Sequence, residues 1–524
     1  MELNEAAMLP AQRMQRRRLS FLRLLIVLVV GGGLVFAGSR WALAQLEESR
    51  TEATQTWFAP YVDVTLTPLL HFEDPAEQPA QNVVLGFIVA DPAKACVPSW
   101  GTYYSLDAAA RALDLDRRIV RLRERGGDAV VSFGGALNNE LATVCTDADA
   151  LVAAYQSVID RYQSRILDFD IEGASLADVA ANARRANAIR RLQEKNSGLQ
   201  VWFTLPVAPH GLEAESVALL EQAIAANVAL TGINAMTMNY GGSRAPSDSM
   251  GSATAAALNA THLQIDDAYR RAGTLKTQQE LWQMLGATPM IGQNDVASDV
   301  FTPSDADSLI ALANDVRLGR ISFWSANRDV QCGVSVTDKR ASNTCSGVEQ
   351  EPLEFGARFS GAVGKKSPPK QANPTPASGD SRVDGLSRDD PRTSPYPIWR
   401  SPKAYETGAK VVWQARVYQA KWWSQGDQPD APVKHIWETP WRYLGPVLES
   451  DREAVRAGDS PLADGTRSRW SAERVFVAGD QVELENQIFR AKWWTQGDTP
   501  QQDPDQPYSH PWEYLGKVKL QADD

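Results

Sequence analysis

From Val83 to Ser325 the chain alternates short apolar runs with longer amphipathic ones. Seven runs have the length and residue types of strands: VVLGFIV (83–89), DAVVSFGG (128–135), RILDFDI (165–171), LQVWFTLPV (199–207), ALTGINAMTM (229–238), ATPMIG (287–292) and RISFWS (320–325). Between them, stretches such as DADALVAAYQSVIDRY (147–162) and ASLADVAANARRANAIRRLQEK (174–195) place apolar residues at helical spacing. Repeated strand–helix alternation predicts parallel strands with helices outside. Roughly 240 residues with seven or eight such units fit a (β/α)8 TIM barrel better than an open doubly wound sheet. The expected barrel spans 79–360, with 42–78 as a linker before it. No G-x-G-x-x-G or phosphate-loop pattern opens any unit, which argues against a nucleotide enzyme.

One of these strands has an unusual inner face. In ILDFDIEG (166–173), Asp168, Asp170 and Glu172 fall at every second position, between Leu167, Phe169 and Ile171. Alternate residues on a strand share a side, so the acids point into the barrel and the apolar residues toward the helices. Carboxylates a few ångströms apart do not all ionise at neutral pH, so such a row can hold a proton for general acid chemistry. Glu172, last on the strand and nearest the mouth of the barrel, is the expected proton donor. Asp168 and Asp170 are expected to share a proton behind it.

The pattern changes beyond the barrel. Residues 361–395 are rich in Pro, Ser, Lys and Asp and read as a linker. VYQAKWWSQGDQPD (417–430) then returns as IFRAKWWTQGDTPQ (488–501), and PWRYLGPV as PWEYLGKV. The period is about 71 residues, which predicts two copies of one small all-β module, at 396–448 and 469–520, joined by a linker at 449–468. Most of the chain's 16 tryptophans sit here. A module this small buries few large rings. One ring of each WW pair is therefore expected in the core and the other exposed as a platform for a sugar face.

At the N-terminus a basic stretch (1–20) precedes an apolar segment (21–41), which predicts either a retained membrane-spanning anchor or a cleaved signal helix. The rest of the chain is then exported, anchored at the inner membrane facing the periplasm or secreted. The four cysteines agree with an oxidising compartment, with expected disulfides Cys96–Cys145 and Cys332–Cys345. Their spacings match no metal pattern. A net charge of −11 argues against a nucleic-acid partner.

These pieces resemble a known family. DFDIE (168–172) is similar to the second half of the D-x-x-D-x-D-x-E signature of glycoside hydrolase family 18, the chitinases and their relatives. SFGG resembles the family's S-x-G-G, which implies substrate contact by Ser132, Gly134 and Gly135. NAMTMNYG, with Met236, Met238, Asn239 and Tyr240, resembles the later strand that lines the sugar site. FWS resembles the last strand, whose Trp324 floors a subsite. The resemblance covers about residues 80–348. It implies a retaining reaction without metal or other cofactor, in which Glu172 protonates the glycosidic oxygen and the substrate's 2-acetamido oxygen attacks the anomeric carbon. Asp170 holds the acetamido N–H, and the Tyr240 hydroxyl braces the acetamido oxygen. Arg165 and Ile166 depart from the fuller signature, Asn239 stands where Asp is frequent, and Tyr240 is offset from the usual tyrosine. The repeats resemble the chitin-binding modules of carbohydrate-binding families 5 and 12. That likeness implies contact with the polymer, or framing of it, by Tyr418, Trp422, Trp423, Phe489, Trp493 and Trp494. The expected protein is a monomeric endo-type chitinase acting on chitin or a related N-acetylglucosamine polymer. A silent chitin-binding lectin, or a hydrolase of peptidoglycan or an N-glycan core, remains open.

Overall fold

The structure, a computed structural model, describes residues 56–333, 340–363, 389, 394–435, 437–451 and 468–517, the last without 473, 478, 486 and 502–509. The expected cytoplasmic stretch and membrane or signal segment lie outside the described residues, as do most of both linkers. Among the described residues no helix is long and apolar enough to cross a membrane.

Eight parallel strands close on themselves among the described residues: β1 (Trp57–Phe58, resuming as Tyr61–Asp63), β2 (Val83–Asp91), β3 (Ala129–Gly134), β4 (Ile166–Asp170), β5 (Gln200–Ala208), β6 (Gly232–Met236), β7 (Leu285–Ala287) and β8 (Arg320–Ile321). Each pairs with the next. The seam closes where Trp57 meets Arg320 and Phe58 meets Ile321. The first strand is a correction, since 57–63 was expected to be linker and the barrel to begin at 79. Pro60 has no N–H and splits the run WFAPYVD; the gap is bridged by Val84 N bonding to the Pro60 carbonyl and by Ala59 N and Tyr61 N bonding to the carbonyls of Ile321 and Phe323.

The strands are covered by α1 (Leu115–Glu124), α2 (Ala148–Tyr162), α3 (Val179–Lys195), α4 (Ala214–Ala225), α5 (Met250–Arg271), α6 (Pro303–Val316) and α7 (Glu354–Ala362). Helix starts follow local chemistry: Asp147 caps α2 through Ala150 N, and Thr302 with Asp305 forms a capping box ahead of Pro303. The β4 alternation then sorts the core. Leu167, Phe169 and Ile171 are buried in the outer layer, where the Phe169 ring lies 5.1 Å from Phe133 and 5.3 Å from Tyr155 of α2. Ile166 faces inward and joins Trp57, Val84, Val130 and Trp202 in an apolar plug inside the barrel. The acids therefore stand on a dry floor. Both expected disulfides are formed.

Beyond the barrel are two small all-β modules that share a three-stranded antiparallel core, extended in the second by Ser468–Arg469 running parallel at its edge. The first module has β9 (Lys410–Trp413), β10 (Arg416–Ala420) and β11 (Trp441–Pro446); the second has β12 (Gln481–Leu484), β13 (Gln487–Ala491) and β14 (Trp512–Lys517). Register is the same in both: Val411 opposes Tyr418 as Val482 opposes Phe489, and Ala420 opposes Trp441 as Ala491 opposes Trp512.

Candidate active site

A cavity of about 570 Å³ opens at the C-terminal ends of the strands, lined by Tyr61, Phe87, Gly134, Asp170, Glu172, Thr204, Met236, Met238, Asn239, Asp295 and Trp324 among others. Below the cavity, Asp168 is fully buried. Tyr61 Oη (2.8 Å) and Ser132 Oγ (2.7 Å) donate to Oδ2, while Arg320 Nη1 (2.7 Å) and Thr204 Oγ1 (2.8 Å) donate to Oδ1. Asn234 Nδ2 donates to Thr204 Oγ1 at 3.0 Å, which leaves the threonine proton free for Asp168. These four donors, one of them cationic, occupy both oxygens of Asp168. The Arg320 guanidinium is fixed in turn by Ser322 Oγ at 2.8 Å and by the Trp57, Trp202 and Tyr61 rings.

This corrects the expected sharing of a proton between Asp168 and Asp170. Asp170 Oδ1 is buried with no hydrogen-bond partner. Burial, then the charges of Glu172 and Asp168, hold the Asp170 carboxyl well above the usual carboxylate range. Burial, then the Asp295 charge, pushes Glu172 up to about 7. Asp170 and Glu172 are thus the two members of the row whose pKa values are raised, above an Asp168 held by four donors.

The glycines of SFGG permit close approach. Gly134 has φ +101°, and a Cβ there would lie 2.1 Å from the Asp170 carbonyl oxygen, to which Gly135 N donates at 2.9 Å. Ser132 braces Asp168 and is not a cavity-lining residue, which corrects its expected sugar contact. Met236, Met238 and Asn239 line the cavity; Tyr240 does not. Its ring is buried in the outer core beside Thr237 and Thr254, so the brace expected of its hydroxyl is not available. Trp324 lines the cavity, stacked on Phe87 with ring centroids 5.6 Å apart.

Residues not anticipated complete the site: Tyr61, Thr204, Asn234, Arg320 and Asp295. Asp295 lies in the loop after β7, where Asn239 Nδ2 donates to its Oδ2 at 3.0 Å. The buried Arg328 feels its charge.

In the modules Tyr418 and Phe489 are core residues, which corrects their expected contact with polymer and leaves them framing the rings. Trp422 and Trp423 are both exposed, at 43% and 53%, against the expected one-in, one-out arrangement. In the second module Trp493 is 41% exposed and Trp494 half-buried. Lys421 and Lys492 sit over Trp422 and Trp493 at 4.6 and 4.8 Å.

Comparison with known proteins agrees with this geometry. The model of carbohydrate-binding module family 5/12 matches residues 469–513. The chain is 35% identical over 291 residues to a probable bifunctional chitinase/lysozyme of Escherichia coli K12, covering 53% of this chain and 32% of that protein. It is 34% identical over 289 residues to endochitinase 11 of Metarhizium anisopliae, covering 53% of each. The chain thus spans about half or less of the length of these relatives. Among solved structures, the catalytic domain of a hyperthermophilic chitinase from Pyrococcus furiosus has a TM-score of 0.51 and 27% identity, covering 58% of this chain and 94% of that one. These matches support the resemblance to glycoside hydrolase family 18 chitinases, with a carbohydrate-binding module at the C-terminus.

Proposed function

We propose that the protein is a retaining chitinase that cleaves β-1,4-N-acetylglucosamine linkages by substrate-assisted catalysis. The carrying observation is the split on β4: a carboxylate saturated by four donors below, and above it two carboxyl groups whose burial and neighbouring charges raise their pKa values. A carboxyl held near neutral pH suits a general acid. Glu172 gives its proton to the glycosidic oxygen as the bond to the anomeric carbon breaks. The acetamido oxygen forms the new bond to that carbon, and Asp170 accepts the acetamido N–H and steadies the charge. Water then attacks the same carbon, its proton passing to Glu172, and the acetamide is restored with configuration retained. Asp168, its charge offset by Arg320, anchors the lower end of the row and contributes to raising the Asp170 carboxyl above it. Trp324 and Phe87 offer a stacked apolar wall for the sugar face.

The exposed tryptophans of the modules suit the flat face of a repeating polymer, and two weak sites gain avidity on it. The two disulfides favour an exported protein. The decisive experiment is turnover of N-acetylglucosamine oligomers by wild type beside Glu172→Gln. Loss of roughly 10²–10⁴-fold in kcat with folding unchanged is expected. Binding of chitin by both proteins with no cleavage by either would leave a lectin or another glycan.

A further inference from the structure

The flank of the barrel along α1 carries a built surface that the catalytic reading does not use. Arg117 of α1 is buried; its Nε donates to Asp114 Oδ1 at 2.7 Å, and its Nη atoms grip Asp451 at 2.9 and 3.1 Å. Nη1 also donates to the carbonyl of Pro446 at 3.0 Å. Asp114 stands at the N-terminus of α1 without capping it, because its carboxylate is taken by Tyr396 Oη (2.7 Å) and the Lys410 ammonium. At the other end of the surface Arg442 pairs with Glu77 and lies 3.7 Å from Asp74, and Tyr443 packs against Arg121. The backbones nearly touch, since a Cβ on Gly445 would lie 2.5 Å from the Arg117 carbonyl oxygen. The partners just named on the far side of this surface, from Tyr396 to Asp451, belong to the first module or its immediate flank, and Gln496 of the second module lines the cavity beside Arg117.

The repeats differ where the first one touches the barrel. The second has Gln481 in register with Lys410, Glu513 with Arg442, and Lys517 with Pro446. Glu513 would set a carboxylate against Asp74 and Glu77, and its own neighbour is Arg490, 3.5 Å away. The ring-bearing run AKWW is nonetheless retained in both, and the first module's Trp422, Trp423 and Trp437 stay exposed beside the contact.

We propose that the first module is a docked, integral part of the barrel body, held by the Asp114–Arg117–Asp451 and Arg442–Glu77 contacts, and that the second module lacks the residues for this seat. The first module's tryptophans then keep one fixed position relative to the catalytic mouth. This inference does not rest on the chemistry proposed above, and its test reads no activity.

A protease site inserted between residues 370 and 380 of the full chain allows a single cut, followed by size-exclusion chromatography at micromolar concentration. The cut halves are expected to co-elute. Lys410→Gln with Arg442→Glu, which gives the first module the residues of the second, is expected to separate them, with affinity weakened by at least about tenfold. Adding Glu77→Arg to Arg442→Glu is expected to restore part of the co-elution, which a misfolded module would not do. Separation of the wild-type halves, or co-elution of the double variant unchanged, would overturn the proposal.

Discussion

At the lower end of β4, Asp168 receives four hydrogen bonds, one of them from a guanidinium. Two residues further along, about 6.6 Å up the strand, Asp170 leaves one buried oxygen with no partner, and Glu172 stands in the open cavity. The three side chains carry one functional group and share one face. What separates them is the supply of donors from neighbouring strands: β1, β3, β5 and β8 all send one to the lower position and none to Asp170 Oδ1. A carboxylate surrounded by donors becomes a fixed charge, and one deprived of them becomes a proton carrier.

That contrast is broken most severely from below. Arg320→Met leaves Asp168 as a buried charge without its cation and is expected to cost about 3–5 kcal/mol in urea unfolding, with Asp168→Asn in the same chain recovering part of the loss. An unchanged unfolding midpoint would mean that the guanidinium does not balance Asp168. From above, Asp295→Asn removes the charge that helps hold the proton on Glu172. The active form of Glu172 is protonated, so activity declines as pH rises through its pKa. The variant should move that alkaline limb of kcat/KM from near 7 to lower pH while leaving the rate at pH 5 nearly unaltered. A limb that stays in place would remove Asp295 from the site. The smallest expected effect sharpens the comparison: Asp170→Asn should stabilise the fold. Burial and the neighbouring carboxylates raise the wild-type carboxyl well above its unfolded range, so its contribution weakens stability as pH rises past the ordinary carboxylate range, whereas an amide has no such slope. At pH 7 the variant should be more stable by roughly 1 kcal/mol, alongside lower activity; a less stable variant would contradict the donor-poor description of this position.

Much of this was legible because period-2 alternation is a geometric rule. It set Asp168, Asp170 and Glu172 on the inner face and Phe169 in the outer core from the residue order alone. The same rule, applied to RISFWS, puts Arg320, Ser322 and Trp324 on one face, so Arg320 was accessible and overlooked. Tyr61 was hidden for another reason, since Pro60 interrupts its strand. Asp295 belongs to a loop, where no periodicity reports position, and only its bond to Asn239 reveals it. Tyr240 misled because one residue of offset on an irregular strand end turns a side chain from the cavity to the outer core. The docked module was invisible in principle: the repeat shows what the two copies share, whereas docking depends on the few positions where they differ.

The seam between β1 and β8 has a bearing on when the molecule can act. Tyr61 and Arg320 both bond to Asp168, yet they are separated by 259 positions in the chain. At ordinary rates of synthesis a ribosome needs tens of seconds to pass from one to the other. During that interval the chain holds most of its helices and the whole acid row, but the floor anion has neither its cation nor a closed wall around it. The surroundings of Asp168 are therefore completed late and all at once, after the last strand has emerged, and on the proposed function a nascent chain cannot act before that point.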